Sequence, residues 1–211
     1  YFEDTYGRKT VYIPNGVNSP VPNEADMIWK SYGLRKDDYI LYLGRIVPEK
    51  GEACLIQAFE QVKTDKKLVI AGRASDTDDY MILLKKMAEK DDRIIFTGFV
   101  QGQLKRELYS NAYLYTLPSE LEGMPLSLLE AMSYGNCCLT SDIPECMEVV
   151  EDKAVTFQKG DVEDLREKLQ MLCDNTDLVE QYRKKAADFI CNKYKWEDVV
   201  QKTLDIYKTG N

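Results

Sequence analysis

The sequence has no histidine in 211 residues. That absence rules out a Ser-His-Asp or Cys-His nucleophile and any zinc site with imidazole ligands. Acid, base or nucleophile must come from Asp, Glu, Cys, Lys, Tyr, Ser or Thr. Two glycine signatures are also missing. Without Gly-x-x-x-x-Gly-Lys-Ser/Thr there is no P-loop, and without Gly-x-Gly-x-x-Gly there is no dinucleotide fingerprint. No apolar run approaches the roughly 20 residues of a membrane span. No secretory signal opens the chain, and it contains no repeat and no low-complexity tract.

What is present suits a soluble α/β unit. The chain is 44% hydrophobic and 30% charged, with a formal net charge of -8. That sign argues against nucleic acid or an anionic lipid surface as a non-specific partner. A small anionic ligand needs only a few local cations. The six cysteines, Cys54, Cys137, Cys138, Cys146, Cys173 and Cys191, lack metal-ligand spacing. They read as free thiols of a reducing, cytoplasmic compartment.

Apolar periodicity predicts strands at Val11–Ile13, Tyr39–Leu43, Lys67–Ala71, Ile94–Thr97, Ala112–Thr116, Cys137–Thr140 and Ala154–Phe157. Between and after them it predicts helices at Met27–Tyr32, Glu52–Val62, Tyr80–Lys90 (Leu83, Leu84, Met87 and Ala88 inward), Gln103–Ser110 and Pro125–Tyr134. Further helical segments are Pro144–Val150, Asp161–Cys173, Asp177–Lys193 and Glu197–Tyr207. Such alternation means a Rossmann-like, mostly parallel sheet with helices on both faces. Ligands of such sheets bind beyond the carboxyl ends of the strands, where Gly44, Gly72, Gly98 and Ser119 fall.

Three segments at that edge carry chemistry. Arg45 and Lys50, with Gly44 and Gly51, precede a helix and suit a phosphate group; a solvated charged loop is the plainer alternative. Glu122-Gly123-Met124-Pro125 opens the next such helix. Gly123 lets a ligand approach the backbone, free amides there can hold an anion, and Pro125 fits the first turn. Glu122 can accept from ligand hydroxyls or serve helix-start electrostatics. Glu130 sits inside the apolar run Leu126-Ser127-Leu128-Leu129-Glu130-Ala131-Met132, where an unpaired carboxylate is costly. It is a ligand contact, a buried ion pair or an acceptor of backbone amides. It follows Glu122 by eight residues, about two turns and 80° of helix, so the two suit separate parts of an extended ligand. Asp76-Thr77-Asp78 has a spacing used by some metal-dependent sugar transferases, but reads as a charged loop or helix cap.

With these residues the chain resembles family 4 of the retaining, nucleotide-sugar-dependent glycosyltransferases (glycosyltransferases group 1, GT-B fold), and within them the C-terminal, donor-binding domain. The likeness runs from about Val11 to Tyr207. It rests on Ile13-Pro14-Asn15-Gly16-Val17, on Gly44-Arg45 through Glu49-Lys50-Gly51, on Glu122 with Glu130, and on Gly135, Ser141-Asp142 and Glu148-Val149-Val150. Cys137, where proline is common, and Lys153-Ala154, in place of a glycine-bearing turn, depart from the pattern at structural positions.

The resemblance implies that Arg45 and Lys50 neutralise the donor diphosphate, with the Gly123 and Met124 amides. It gives Glu122 the donor sugar and Glu130 the ribose. Gly98, Phe99 and Val100 line the base, and Gly44, Pro125 and Leu126 complete the donor site. Asn15 and Gly16 orient an inter-domain hinge. No metal or other cofactor is implied; the donor, most commonly a UDP-sugar, is the substrate. The acceptor is a saccharide or lipid-linked glycan in polysaccharide biosynthesis, and peripheral association with the inner face of the membrane fits that role. On this reading 1–10 is a linker or remnant of a preceding domain and 11–195 the nucleotide-sugar-binding domain. The helix at 196–211, with Trp196, Val199, Val200, Leu204 and Tyr207, either reaches toward a missing N-terminal domain or packs on the core. The start at Tyr1, without methionine, reads as part of a larger protein, and the fragment alone is expected to be inactive. A nucleotide-sugar epimerase of related fold, a non-catalytic nucleotide-binding module and a dinucleotide oxidoreductase domain are the rival readings. The last lacks its glycine pattern.

Overall fold

The computed structural model describes residues 2–74 and 78–209. After short helices α1 (Phe2–Tyr6) and α2 (Met27–Tyr32), the chain alternates β1 (Tyr39–Leu43), α3 (Glu52–Phe59), β2 (Lys67–Ala71), α4 (Asp78–Ala88), β3 (Ile94–Gly98), α5 (Gly102–Asn111), β4 (Leu114–Leu117), α6 (Leu126–Ser133), β5 (Cys138–Ser141), α7 (Pro144–Val150) and β6 (Val155–Phe157). Helices α8 (Val162–Asp174), α9 (Thr176–Lys193) and α10 (Trp196–Thr209) follow. The six strands form one parallel sheet in the order β3-β2-β1-β4-β5-β6. Strands buried on both faces need near-continuous apolar sequence. Accordingly Tyr39, Ile40, Leu41 and Tyr42 are all 0% exposed.

Strand order decides where a ligand can sit. From β1 the chain steps outward through β2 to β3, then returns to the other side of β1 and steps outward again. Right-handed crossovers of opposite sense put α3 and α4 on one face and α6 on the other. Helix α8 packs on α3, and α9 on α6. At the reversal the chain leaves β1 and β4 toward opposite faces of the sheet, and the loops after them form the lips of a crevice at the carboxyl ends of the strands.

Several expectations are corrected. Val11–Ile13 is not a strand: it pairs with neither edge strand, β3 or β6. Residues 2–6 form a helical turn instead. Helix α3 stops at Phe59, short of Val62. The Arg93 guanidinium takes the carbonyls of Val62 and Thr64 at 2.9 and 3.0 Å, giving the chain an exit from the helix. Leu83 faces solvent, because one residue is a 100° step from buried Leu84. Strand β4 starts at Leu114; Arg183 takes the carbonyls of Ala112 and Tyr113 at 2.8 Å each. Pro125 precedes α6 rather than lying in its first turn. Asp76 and Thr77 lie outside the described residues, and Asp78 opens α4.

All six cysteines are unbridged. No described helix is long and apolar enough to cross a membrane. None of the described side chains of α10 is buried, so it does not pack into the core. Trp196, Val200 and Leu204 remain about half exposed.

Candidate functional site

Beyond the strand ends the backbone stays knitted. Gly44 N–H donates to Ala71 O at 3.0 Å, Ile46 N–H to Arg73 O at 2.9 Å and Gly72 N–H to Gly98 O at 3.0 Å. These bonds floor a cavity of about 750 Å³ whose lining includes Gly44, Arg45, Arg73, Phe99, Val100 and Lys105. That volume suits a small-molecule ligand. Arg45 is exposed, with no ion-pair partner among the described residues. The Arg73 guanidinium lies 5.0 Å from the centre of the Phe99 ring. Paired guanidiniums above a parallel sheet's carboxyl edge suit a diphosphate.

The lips of the crevice touch. Gly51 has φ 75°, and a Cβ there would come within 2.1 Å of Pro118 O, so only glycine allows this approach. Glu120 N–H donates to Glu49 O at 2.9 Å. Lys50 Nζ lies 2.7 Å from Glu122 Oε1 and donates to Leu121 O at 3.2 Å. Ser119 Oγ donates to the same Glu122 oxygen at 2.7 Å. The Lys50 and Glu122 side chains are only 12% and 9% exposed. Sequence reasoning gave the two residues separate jobs on a ligand; here they form an ion pair. Glu122 Oε2 has no partner among the described residues.

Glu130 is not buried. Its side chain is 38% exposed, on the open arc of α6, while Leu128, Leu129 and Ala131 fill the core. Lys105 Nζ meets Oε1 at 2.7 Å, and the Tyr109 hydroxyl donates to Oε2 at 3.2 Å. Glu130 and Leu126 line a second cavity of about 310 Å³ with Asn15, Gly16 and Trp196. Lys105 belongs to the wall of the first cavity and to the Glu130 pair, and so joins the two.

At the mouth of α6 the amides of Gly123 and Met124 have no partner among the described residues, whereas Leu126 N–H is used by Met124 O at 2.9 Å. Leu126 therefore offers its exposed side chain. Asn15 N–H points at Met124 Sδ, 3.2 Å away. Gly16 lies flat against Trp196, where a Cβ would come within 2.6 Å of the indole. Val17 N–H donates to Tyr194 O at 2.8 Å.

Arg73 and Lys105 were missed by sequence reasoning. Arg73 had a signal, since Gly72-Arg73 follows β2 as Gly44-Arg45 follows β1. Lys105 had none; its role comes from the packing of α5 beside α6.

A family model described as glycosyl transferases group 1 matches residues 26–189. The chain belongs to this family. Among relatives of this glycosyl transferases group 1 chain is an uncharacterized glycosyltransferase of Methanocaldococcus jannaschii, 27% identical over 95% of the chain and 54% of the relative. The O-antigen chain mannosyltransferase B of Escherichia coli is 27% identical over 93% of the chain and 51% of the relative. The chain thus spans about half the length of the curated relatives it matches. Its fold matches that of sucrose-phosphate synthase from Thermosynechococcus elongatus, with a TM-score of 0.84 at 21% identity over 99% of the chain and 55% of that protein. It also matches Anabaena HepE in complex with UDP-glucose, with a TM-score of 0.80 at 18% identity over 87% of the chain and 52% of that protein.

Proposed function

We propose that this chain is the donor-binding half of a retaining glycosyltransferase. The donor is a nucleoside diphosphate sugar with UDP as its nucleotide, and the acceptor is a saccharide or lipid-linked glycan. The observation that carries the reading is the pair Arg45 and Arg73 in one cavity beyond the carboxyl ends of β1, β2 and β3, joined through Lys105 to Glu130. HepE in complex with UDP-glucose supports the choice of nucleotide, and the E. coli mannosyltransferase the glycan product.

The chemistry follows from charge. As the bond from sugar to diphosphate breaks, negative charge builds on the leaving phosphate. Arg45, Arg73 and the Gly123 and Met124 amides face that charge with little reorganisation, which is how preorganised dipoles lower a barrier. Lys50 adds charge at the lip while fixing Glu122. Glu122 Oε2 accepts from a hydroxyl of the donor sugar, and Glu130 exchanges part of its Lys105 contact for ribose hydroxyls. Phe99 and Val100 wall the base, with Gly98 turning the chain beneath them. Acceptor binding falls to the part of the relatives that this chain does not span.

Calorimetric titration with UDP, GDP and ADP tests this. UDP binds most tightly, and Arg45→Ala and Glu130→Gln each weaken it about tenfold, the scale of one charged hydrogen bond. Unchanged affinity in both variants overturns the site assignment.

A further inference from the structure

Glu52 follows the Lys50-Gly51 turn directly, is 0% exposed and has no part in the donor site described above. It has no cation partner among the described residues. Its Oε1 lies 2.7 Å from the Tyr42 hydroxyl of β1, and its Oε2 lies 3.3 Å from the Tyr80 hydroxyl of α4. The same Tyr42 hydroxyl lies 2.8 Å from the carbonyl oxygen of Arg45.

A phenol has one proton to donate. Given to an ionised Glu52, it leaves the Tyr42 oxygen against the Arg45 carbonyl with no hydrogen between them. Both short contacts are satisfied together when Glu52 carries a proton. The carboxylic acid then donates to Tyr42, and Tyr42 donates to the Arg45 carbonyl. Tyr80 serves the other carboxyl oxygen in either state.

We propose that Glu52 is a positioning residue of the donor site: in its neutral form it holds the Arg45 loop through Tyr42, so that donor binding is coupled to a proton on a buried side chain. The ligand half of this statement rests on the donor reading above; the link between Glu52 and the loop does not.

The surroundings favour a neutral acid. Burial pushes the Glu52 carboxyl up to about 7, with hydrogen bonds from Tyr42, Tyr80 and backbone amides pulling against it. Tyr42 on β1, Tyr80 on α4 and Tyr115 on β4 have hydroxyls raised chiefly by burial and stay neutral themselves. From the loop after β4, Glu122 acts on Tyr42 and Glu120 on Tyr80, both adding negative potential. Asp161, ahead of α8, faces Cys54 on the same helix as Glu52. The nearby ammonium of Lys50 is committed to Glu122. The sign follows. Below about 7 the acid is neutral and the loop is held. Above it the Tyr42 proton turns to the carboxylate, the Arg45 carbonyl loses its donor, and a negative charge sits under the diphosphate. Donor affinity therefore falls as pH rises through that value.

Two measurements on the full chain test this. Without ligand, NMR backbone amide resonances of residues 45–47, 49 and 50 should titrate with a midpoint near 7 in the wild type. They should stay flat in Glu52→Gln, whose amide reproduces the neutral acid's donor and acceptor. With UDP-glucose, whose diphosphate has no titrating terminal group, wild-type affinity should fall roughly tenfold between about pH 6 and pH 8.5, a one-unit shift in a linked pKa. Glu52→Gln should keep the low-pH affinity throughout, and Tyr42→Phe should be weak throughout. Absence of the amide titration, its persistence in Glu52→Gln, or pH-independent binding by the wild type overturns the proposal. A wild type that titrates at these amides yet binds no UDP-glucose overturns the donor reading and keeps the link between Glu52 and the loop.

Discussion

Glu122 and Glu130 lie on one short stretch of chain, and each is held by a lysine at 2.7 Å. The first pair is sealed, with side chains 12% and 9% exposed; the second is open, at 33% and 38%. Water decides what each is worth. Breaking a pair that solvent barely reaches strands a charge, which costs several kcal/mol. Breaking one that solvent screens costs about 1 kcal/mol or less. The same two residue types thus serve as a fastener at one end of the stretch and as a displaceable contact at the other.

The sharpest way to break this contrast is to remove one charge from the sealed pair. Lys50→Met should destabilise the fold by about 3 kcal/mol, read from the urea midpoint, because Glu122 is left without its cation. Adding Glu122→Leu should recover most of that loss; if it does not, the pair is not the source. Gly51→Ala comes next. It forces a Cβ toward Pro118 O at a positive φ and should cost roughly 2 kcal/mol by the same measurement, parting the lips that bring Lys50 to Glu122. Lys105→Ala should be the mildest, under about 1 kcal/mol and smaller still in high salt, where screening already weakens the pair. A stability loss from Lys105→Ala equal to that from Lys50→Met would erase the distinction.

The strands were legible because a parallel sheet needs unbroken apolar runs, and glycines at 44, 72 and 98 mark where three of them end. Residues 11–13 have the same apolar and aromatic look but join neither outer edge of the sheet, and local sequence does not reveal which segments will pair. Glu130 was expected to be buried, and it is not. Its apolar neighbours suggested burial, yet a single 100° step separates a core position on α6 from the open arc. The carboxylates that truly are buried gave no sign. Glu107 is 0% exposed because its Oε2 accepts the amides of Asp26 and Ile28, at 3.0 and 3.1 Å, from the start of α2. Glu52 is buried by phenols from β1 and α4. Both arise from contacts between distant parts of the chain, as does the link from Lys105 to Glu130.

The fastening of the two lips has a kinetic consequence. Gly51 lies against Pro118, Glu120 is bonded to Glu49, and Lys50 is tied to Leu121 and Glu122 across the reversal. On the donor reading proposed above, a nucleotide arriving there would meet a die already cast, so the ordering cost at this edge would fall on the ligand and not on the loops. On that reading capture would be a one-step collision, set by diffusion and by the charge of Arg45 and Arg73, and slowed by added salt rather than by a waiting time for the protein to open.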